Sequence, residues 1–456
     1  MMGRKDQELL SETESVCPEC LSRISAVKRA VGHNVYMEKT CPEHGKFSVI
    51  IWRGAPFYAS WTRSKIPCYP SAPDTETEGG CPFDCGLCPD HRQQTCTALL
   101  EITNHCNLKC AYCFADSGKK SSNDPEIGVI TSWYDSLLAS GHPCNIQLSG
   151  GEPTVRDDLP KIIAMGHSMG FKFIQLNTNG IRLASDLSYV EKLKEAGLAS
   201  VFLQFDGTKD EIYRAIRGRN LLETKMQAIR NCEQQELGVI LVPTLVPRVN
   251  INNIGNIIQF ALENISVVRG VHFQPASYFG RYPEHPTDAD RLTLPELMRY
   301  LERQTSGLVR AVNFTPPGCE NALCSFHGNF VLMPDGNLTA LTRRRPTDLS
   351  CKPETAKAGA FSARHFVSRH WAAPSKNACA QKDEGTFLGD WDLLLERSRT
   401  HMICISAMVF QDAWNLDLER LRDCCIHVVA NDGKIIPFCA YNLTSSHGSS
   451  IYRKGL

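Results

Sequence analysis

The chain lacks three features that would place it quickly. It has no charge excess: 49 Lys and Arg balance 49 Asp and Glu, for a formal net charge of zero. Proteins drawn to nucleic acid by phosphate attraction carry a basic surplus, so no nucleic-acid partner is expected. The one compact basic run, Arg343-Arg344-Arg345, reads as a solvated loop. It has no apolar run near the ~20 residues of a membrane-spanning helix, so any membrane contact would be peripheral. Its first residues form no apolar signal segment, which argues against a secreted disulfide framework. Yet cysteine is abundant, at 21 residues. Thiolates bound to metal in a reducing cytoplasm are the expectation. Apolar residues make up 42% of 456, enough for a sizeable core in two or three domains.

The cysteines fall into groups. Cys17-Pro-Glu-Cys20 and Cys41-Pro-Glu-His44-Gly45 are two knuckles aimed at one ion, zinc or a mononuclear iron. His44 is favoured as fourth ligand, with Cys68 as rival, and the ion is expected to staple a small module. Cys81-Pro-Phe-Asp-Cys85-Gly-Leu-Cys88 follows Gly79-Gly80 and no strand. It reads as an auxiliary [4Fe–4S] site with Cys96 as fourth ligand and His91 as alternative; a second zinc ribbon is the competing account. Cys106-Asn-Leu-Lys-Cys110-Ala-Tyr-Cys113 has the same C-x3-C-x2-C spacing at the end of an apolar run. Three thiolates hold three irons of a cube and leave the fourth open to a ligand. The remaining thiols are dispersed. Cys319, Cys324, Cys424 and Cys439 flank two hairpins turned at Asp335-Gly336 and Asp432-Gly433 and are assigned to a second auxiliary cluster, with Cys425 interchangeable with Cys424. Cys144, Cys232, Cys351, Cys379 and Cys404 have no partner at ligand spacing and read as free thiols.

Between the cysteine groups the chain alternates strand and helix. Strands are predicted at Ala98–Thr103, Asn145–Leu148, Lys172–Asn177, Ser200–Phe205, Val239–Val246 and Gly270–Gln274. Helices are predicted at Ile130–Ser140, Asp157–Met169, Asp186–Ala196, Leu221–Gln235 and Asn253–Glu263, with Asp157 and Asp186 at their starts. Six such units make a partial (β/α)6 barrel of the TIM type, an α/β fold whose chemistry gathers at the carboxyl ends of the strands. The predicted domains are a knuckle module at 1–75, an auxiliary cluster segment at 76–96, the barrel at 97–290 and a separate lid-like domain at 291–456. A helix at Leu294–Gln304 opens the last.

The first five strand ends each carry a candidate: the Cys106 loop, Gly150-Gly151-Glu152-Pro153, Asn177-Thr-Asn179-Gly180, Gln204-Phe-Asp206-Gly207 and Arg248. This ordered set resembles the radical S-adenosylmethionine (SAM) enzymes. With the knuckles, the Cys81 motif and the tail from Trp414 to Asn442, nearly the whole chain resembles the tetraether lipid synthase family, which is also described as methylating a dihydropterin. The resemblance implies SAM on the open iron, one-electron cleavage to a 5′-deoxyadenosyl radical, three [4Fe–4S] clusters and a mononuclear site. It implies a small-molecule or lipid substrate, a ferredoxin- or flavodoxin-like electron donor and an anaerobic host. Gly150 and Gly151 suit close backbone approach to SAM. Glu152 or a carbonyl of its turn suits the amino group, Asn179, Gln204 and Asp206 the ribose, Tyr112 the adenine, and Arg248 the carboxylate. Asn179 and Asp206 each precede a glycine, so both also read as turn residues. The implied reaction functionalises an unactivated carbon, by joining alkyl chain ends or by methylating a pterin-like molecule. A peptide-modifying maturase and a non-catalytic multi-zinc module are the alternatives.

Overall fold

A computed structural model describes residues 7–71, 73–118, 123–141, 144–344, 353–373 and 390–453. Arg345, Cys351 and Cys379 lie outside the described residues. At the amino end, β1 (Gln7–Val16), β2 (Arg23–Val31), β3 (Asn34–Cys41) and β4 (Gly45–Arg53) form an antiparallel meander in that order. Alternate residues of β3 (Val35, Met37, Lys39 and Cys41) are buried, as a pleated strand with one inward face requires. The buried Lys39 ammonium is satisfied by Ser15 Oγ at 3.0 Å and by the Val16 and Ala413 carbonyls at 2.8 Å. Lys28 meets Asp417 at 2.6 Å. These two lysines fasten the meander to the carboxyl-terminal segment.

A short β5 (Lys65–Ile66) precedes the large sheet. Strands β6 (Thr97–Glu101), β7 (Asn145–Ser149), β8 (Ile174–Thr178), β9 (Ser200–Gln204), β10 (Gly238–Val242) and β12 (Val268–Pro275) run parallel in that order. The fifth predicted strand breaks at Pro243, which has no N–H to donate, and resumes as β11 (Thr244–Leu245) beside β12. The connecting helices are α1 (Ile127–Ala139), α2 (Leu159–Ser168), α3 (Ile181–Ser185), α4 (Leu187–Glu195), α5 (Asp210–Arg217), α6 (Leu222–Gln234) and α7 (Ile254–Glu263). Asp186 caps α4 by accepting from Tyr189 N, whereas Asp157 lies before its helix and pairs with Arg182. Leu148, Ile174, Leu176, Val201 and Leu203 pack with the helices in the main core and are fully buried. Each such side chain contributes about 1.5–3 kcal/mol by leaving water.

The carboxyl-terminal segment corrects the expectation of a separate lid. After α8 (Leu294–Gln304) come β13 (Ser325–Leu332), β14 (Leu338–Ala340), β15 (Glu354–Thr355), α9 (Ala356–His370), β16 (Met402–Met408), β17 (Ile426–Val429) and β18 (Ile435–Pro437). β16 pairs parallel with β12, and β17 pairs parallel with β6. The segment therefore supplies one further parallel strand on each side of the six. β13–β14 and β17–β18 are the two predicted hairpins, turned at Gly336 and Gly433 with φ of +83° and +84°. Residues of β6, β9 and β16 line one cavity, so the sheet curls round it. α9, which the sequence reading missed, crosses the amino-terminal ends of the strands: Ala360 O lies 4.0 Å from Cys96 Sγ.

Gly359 on α9 packs on the Gly318 carbonyl, beside Cys319; a Cβ there would sit 1.9 Å from that oxygen. Replacing a helix-interior glycine by alanine ordinarily stabilises by about 0.5–1 kcal/mol. Here Gly359→Ala is expected to destabilise by about 1–3 kcal/mol, the cost of overpacking, and to lower the melting temperature. A raised melting temperature would show that the contact is not made.

Candidate active site

The loop after β6 carries Cys106, Cys110 and Cys113, which pack together against Leu108, Tyr213 and Leu221. Arg281 holds this loop: its Nε donates to Cys110 O at 2.9 Å, and its backbone exchanges hydrogen bonds with Cys113 at 2.9 and 3.0 Å. Burial pushes the Cys106 thiol up to about 12. A thiol in that position ionises readily only when a metal supplies positive charge. Three thiols on one loop, facing a cavity, suit a cube with one corner left open.

The Gly150-Gly151 turn lies directly on that loop. Gly151 N donates to Thr103 O at 2.7 Å and Glu152 N to His105 O at 2.8 Å. A Cβ on Gly150 would meet Thr103 O at 2.2 Å, and one on Gly151 would meet His105 O at 2.1 Å. Gly150 also has φ of +136°. The Glu152 carboxylate is buried and fully engaged. It accepts from Thr154 N and Oγ1 at 3.2 and 2.6 Å, from Thr178 Oγ1 at 2.6 Å and from Asn179 N at 2.7 Å. Its side chain joins the ends of β7 and β8, which leaves the carbonyls of the turn for a ligand.

The cavity encloses about 670 Å³, within the ~300–1,000 Å³ range of small-molecule sites. Tyr112, Asn179 and Gln204 line it as the sequence suggests. Asn179 is committed to a turn: its side chain bonds Asn107 at 2.6 Å and Ile181 N at 3.0 Å. Two expectations are corrected. Asp206 is wholly buried and accepts from Arg217 Nε and Nη2 at 2.7 and 2.8 Å and from Thr244 N at 3.1 Å. It is the partner of a buried cation and has no oxygen left for ribose. Arg248 points outward, 73% exposed, with Asp290 at 3.8 Å, and does not line the cavity. The cations near the cluster loop are instead Arg217, which lines the cavity, and Lys225. Burial brings the Lys225 ammonium down to about 8, and it lies 3.5 Å from Gln204 Oε1. Both sit on helices outside any motif, so spacing offered no signal for them.

Inward residues of the strands form a polar band. Gln147 Nε2 donates to Gln175 Oε1 at 2.7 Å, and Gln175 Nε2 to Ser200 Oγ at 2.8 Å. Asn145, Asn177, Gln274, Asn329 and Ser406 also line the wall. The Asn177 and Asn329 carboxamide oxygens are buried with no hydrogen-bond partner among the described residues. His272 meets Ser406 Oγ at 2.9 Å, and burial lowers its imidazole to about 4, so it is neutral at neutral pH. Beside it Phe202 and Trp371 stack with centroids 5.9 Å apart.

The other thiols group differently from the sequence assignment. Cys17, Cys20, Cys41 and His44 bring one ligand atom each within 4.8 Å of the others. Burial pushes the Cys41 thiol up, but hydrogen bonds led by His44 outweigh it and bring it down to about 6. Cys68 stands apart, accepting from Gln94 Nε2 at 3.2 Å. Cys96 is not with Cys81, Cys85 and Cys88. It joins Cys319 and Cys425, all three within 4.8 Å, at the amino ends of β6 and β17. The structure records Cys96 and Cys319 as a bonded pair, but their Cα atoms are 7.6 Å apart. That exceeds the reach of an unstrained disulfide, so convergence on a metal is the better account. Cys319 thus leaves the set of Cys324, Cys424 and Cys439, which remain mutual electrostatic neighbours. Of the adjacent pair, Cys425 is the one whose thiol joins Cys96 and Cys319. His91 lines a small pocket with Cys81, Cys85 and Cys88, and its Nε2 lies 2.9 Å from Cys424 O. Cys144, Cys232 and Cys404 are buried free thiols.

The Asp206–Arg217 pair yields a stability prediction. Arg217→Leu leaves a buried carboxylate unpaired and is expected to cost about 3–5 kcal/mol in urea unfolding, with part regained in the Asp206→Asn/Arg217→Leu double variant. A cost below 1 kcal/mol would mean that water reaches Asp206.

Comparison with known proteins agrees with this geometry. The radical SAM superfamily model matches residues 100–261, and a model described as the HMPTM N-terminal zinc ribbon domain matches residues 9–53. The chain is 36% identical to the 7,8-dihydro-6-hydroxymethylpterin dimethyltransferase of Methanocaldococcus jannaschii, over 94% of this chain and 93% of that protein. It is 32% identical to the "Probable GTP 3′,8-cyclase" of the same organism over 181 residues, 39% of this chain and 58% of that one. Among solved structures, Streptococcus suis SuiB bound to S-adenosylmethionine aligns with a TM-score of 0.41 at 16% identity, covering 48% of each chain. The ordered strand-end motifs and the near full-length match together establish that the chain is an enzyme of the radical SAM superfamily, in the family of the 7,8-dihydro-6-hydroxymethylpterin dimethyltransferase.

Proposed function

We propose that this enzyme methylates a dihydropterin at an unactivated carbon. The observation that carries the reading is the carboxamide band of the cavity wall. An alkyl chain laid against Asn177 and Asn329 would leave their buried carboxamide oxygens unpaired, at about 1–3 kcal/mol each. A pterin presents ring and exocyclic N–H donors, ring nitrogens and a carbonyl that match such a wall. Phe202 and Trp371 offer apolar faces for a planar ring. The name of the Methanocaldococcus relative supports the same substrate class, and the cavity wall does not favour the tetraether-type alternative.

Cys106, Cys110 and Cys113 are the proposed ligands of the SAM-binding cluster. When bound, that cluster and SAM supply a 5′-deoxyadenosyl radical able to take a hydrogen atom from the substrate. The chain's own part is to hold and orient. Gly150 and Gly151 admit the ligand close to backbone, Tyr112 packs beside it, and Lys225 sets a positive potential against its carboxylate, Arg217 being neutralised by Asp206. Gln147, Gln175, Asn177 and Gln204 fix the substrate. We assign a structural zinc or mononuclear iron to Cys17, Cys20, Cys41 and His44. We assign auxiliary iron–sulfur centres to Cys81, Cys85 and Cys88, to Cys96, Cys319 and Cys425, and to Cys324, Cys424 and Cys439. A ferredoxin- or flavodoxin-like donor is the proposed reductant, and the cytoplasm the proposed compartment. No helix among the described residues is long and apolar enough to cross a membrane.

The test is an anaerobic assay with reductant, SAM and 7,8-dihydro-6-hydroxymethylpterin. The product is expected to gain the mass of one or two methyl groups, with 5′-deoxyadenosine released. Alanine at Cys106, Cys110 and Cys113 together should abolish that release while the remaining iron stays bound. Joining of alkyl chain ends when a lipid is supplied, with the pterin left unmethylated, would overturn the reading. Within it, Asn177→Leu is expected to raise the pterin KM about 10- to 100-fold while SAM cleavage without substrate continues.

A further inference from the structure

Three carboxylates line the cavity, and they differ in what they hold. Glu152 is saturated by four donors. Glu354 is paired with Arg63 at 2.9 Å. Glu320 is different. One of its oxygens accepts from the Ser325 hydroxyl. The other accepts only a long, weak hydrogen bond from the Cys425 thiol, with Sγ at 3.8 Å. Lys65 is close, but its hydrogen bonds go to the main-chain carbonyls of Cys319 and Glu320. That grip fixes the backbone of Glu320, and Ser325 fixes its side chain. The result is an oriented carboxylate in the cavity wall with one oxygen carrying no N–H or O–H donor among the described residues.

Resting on the dihydropterin reading above, we propose that Glu320 is the substrate-positioning carboxylate of this cavity. It takes the pyrimidine edge of the pterin, where a ring N–H and the exocyclic amino group stand side by side. Two parallel donors match a carboxylate as a guanidinium does. The carboxamides of the wall offer one acceptor and one donor each, so none of them is complementary to that edge. Position adds to the argument. Glu320 adjoins the group of Cys96, Cys319 and Cys425 at the amino end of β6, whereas Cys106, Cys110 and Cys113 follow its carboxyl end. A strand of this length spans about 17 Å. Holding the pyrimidine edge at the floor directs the opposite, pyrazine ring of the pterin toward the end where the radical forms. Glu320 thereby selects the carbon presented and discriminates a 2-amino from a 2-oxo ring.

The experiment is anaerobic equilibrium dialysis of the metal-loaded full chain and of Glu320→Gln. The probes are 7,8-dihydro-6-hydroxymethylpterin and the corresponding lumazine, whose 2-amino group is replaced by a carbonyl. The native chain is expected to prefer the pterin. Glu320→Gln should bind the pterin about 10- to 100-fold more weakly, and its preference should narrow or reverse, because glutamine offers a donor to the 2-oxo group. Iron content, melting temperature and SAM cleavage without substrate should be unchanged. Undiminished pterin affinity in the variant would overturn the proposal, as would a native chain that binds both rings equally. Loss of iron from Glu320→Gln would also overturn it, by making the carboxylate a metal ligand. A native chain that binds neither ring would instead sink the dihydropterin reading on which it rests.

Discussion

The site depends on how closely two loops approach. The Gly150-Gly151 turn sits on the carbonyls of Thr103 and His105, nearer than any side chain allows, and is held there by two backbone hydrogen bonds. From that turn Glu152 reaches across to Thr178 and Asn179. The ends of three parallel strands are thereby locked in one geometry. Arg281 and the Glu101–Arg453 pair, at 2.6 Å, tie the opposite side of the cluster loop and the chain's last described residue to the same rim. Without the two glycines the first contact is lost, and the thiols of the loop no longer face the cavity in a fixed arrangement.

The cavity has two unlike ends and a neutral wall between them. One end carries the three thiols of the cluster loop with Arg217 and Lys225 near. The other carries Cys96, Cys319, Cys425 and Glu320. Burial penalises ionised thiols at each of these groups, as it does for Cys106 and Cys425. Bound metal is the physical means of keeping them as thiolates. The wall between mixes amides and a histidine kept neutral by burial with apolar side chains such as Phe202, Phe326 and Trp371. A small heterocycle with polar edges and apolar faces suits such a wall.

The motifs and the alternation of strand and helix were legible because they are local. Cys-x3-Cys-x2-Cys, Gly-Gly-Glu-Pro and the Asp-Gly turns each depend on a few neighbouring residues, and the structure has them at strand ends and hairpins. The polar band was also written in the sequence, as Asn-Ile-Gln-Leu-Ser, Ile-Gln-Leu-Asn-Thr and Ser-Val-Phe-Leu-Gln. It went unread because parallel strands covered on both faces are expected to be apolar throughout. Here the inner face looks into a cavity, so alternate residues are free to be polar.

Spacing alone pointed to the grouping of Cys17, Cys20, Cys41 and His44, whose ligand atoms lie within 4.8 Å of one another, since a knuckle closes on itself within a few residues. It also determined the order of the barrel strands. Which distant thiols meet was decided only by the tertiary structure. β17 lies beside β6 in the sheet, and this pairing brings Cys425 to Cys96, while Cys424 is an electrostatic neighbour of Cys324 and Cys439. The same packing turned Asp206 inward to Arg217 and left Arg248 on the surface. Local chemistry carries no record of such partners, because they come from strands and helices that are remote in the chain and adjacent only once the sheet has curled.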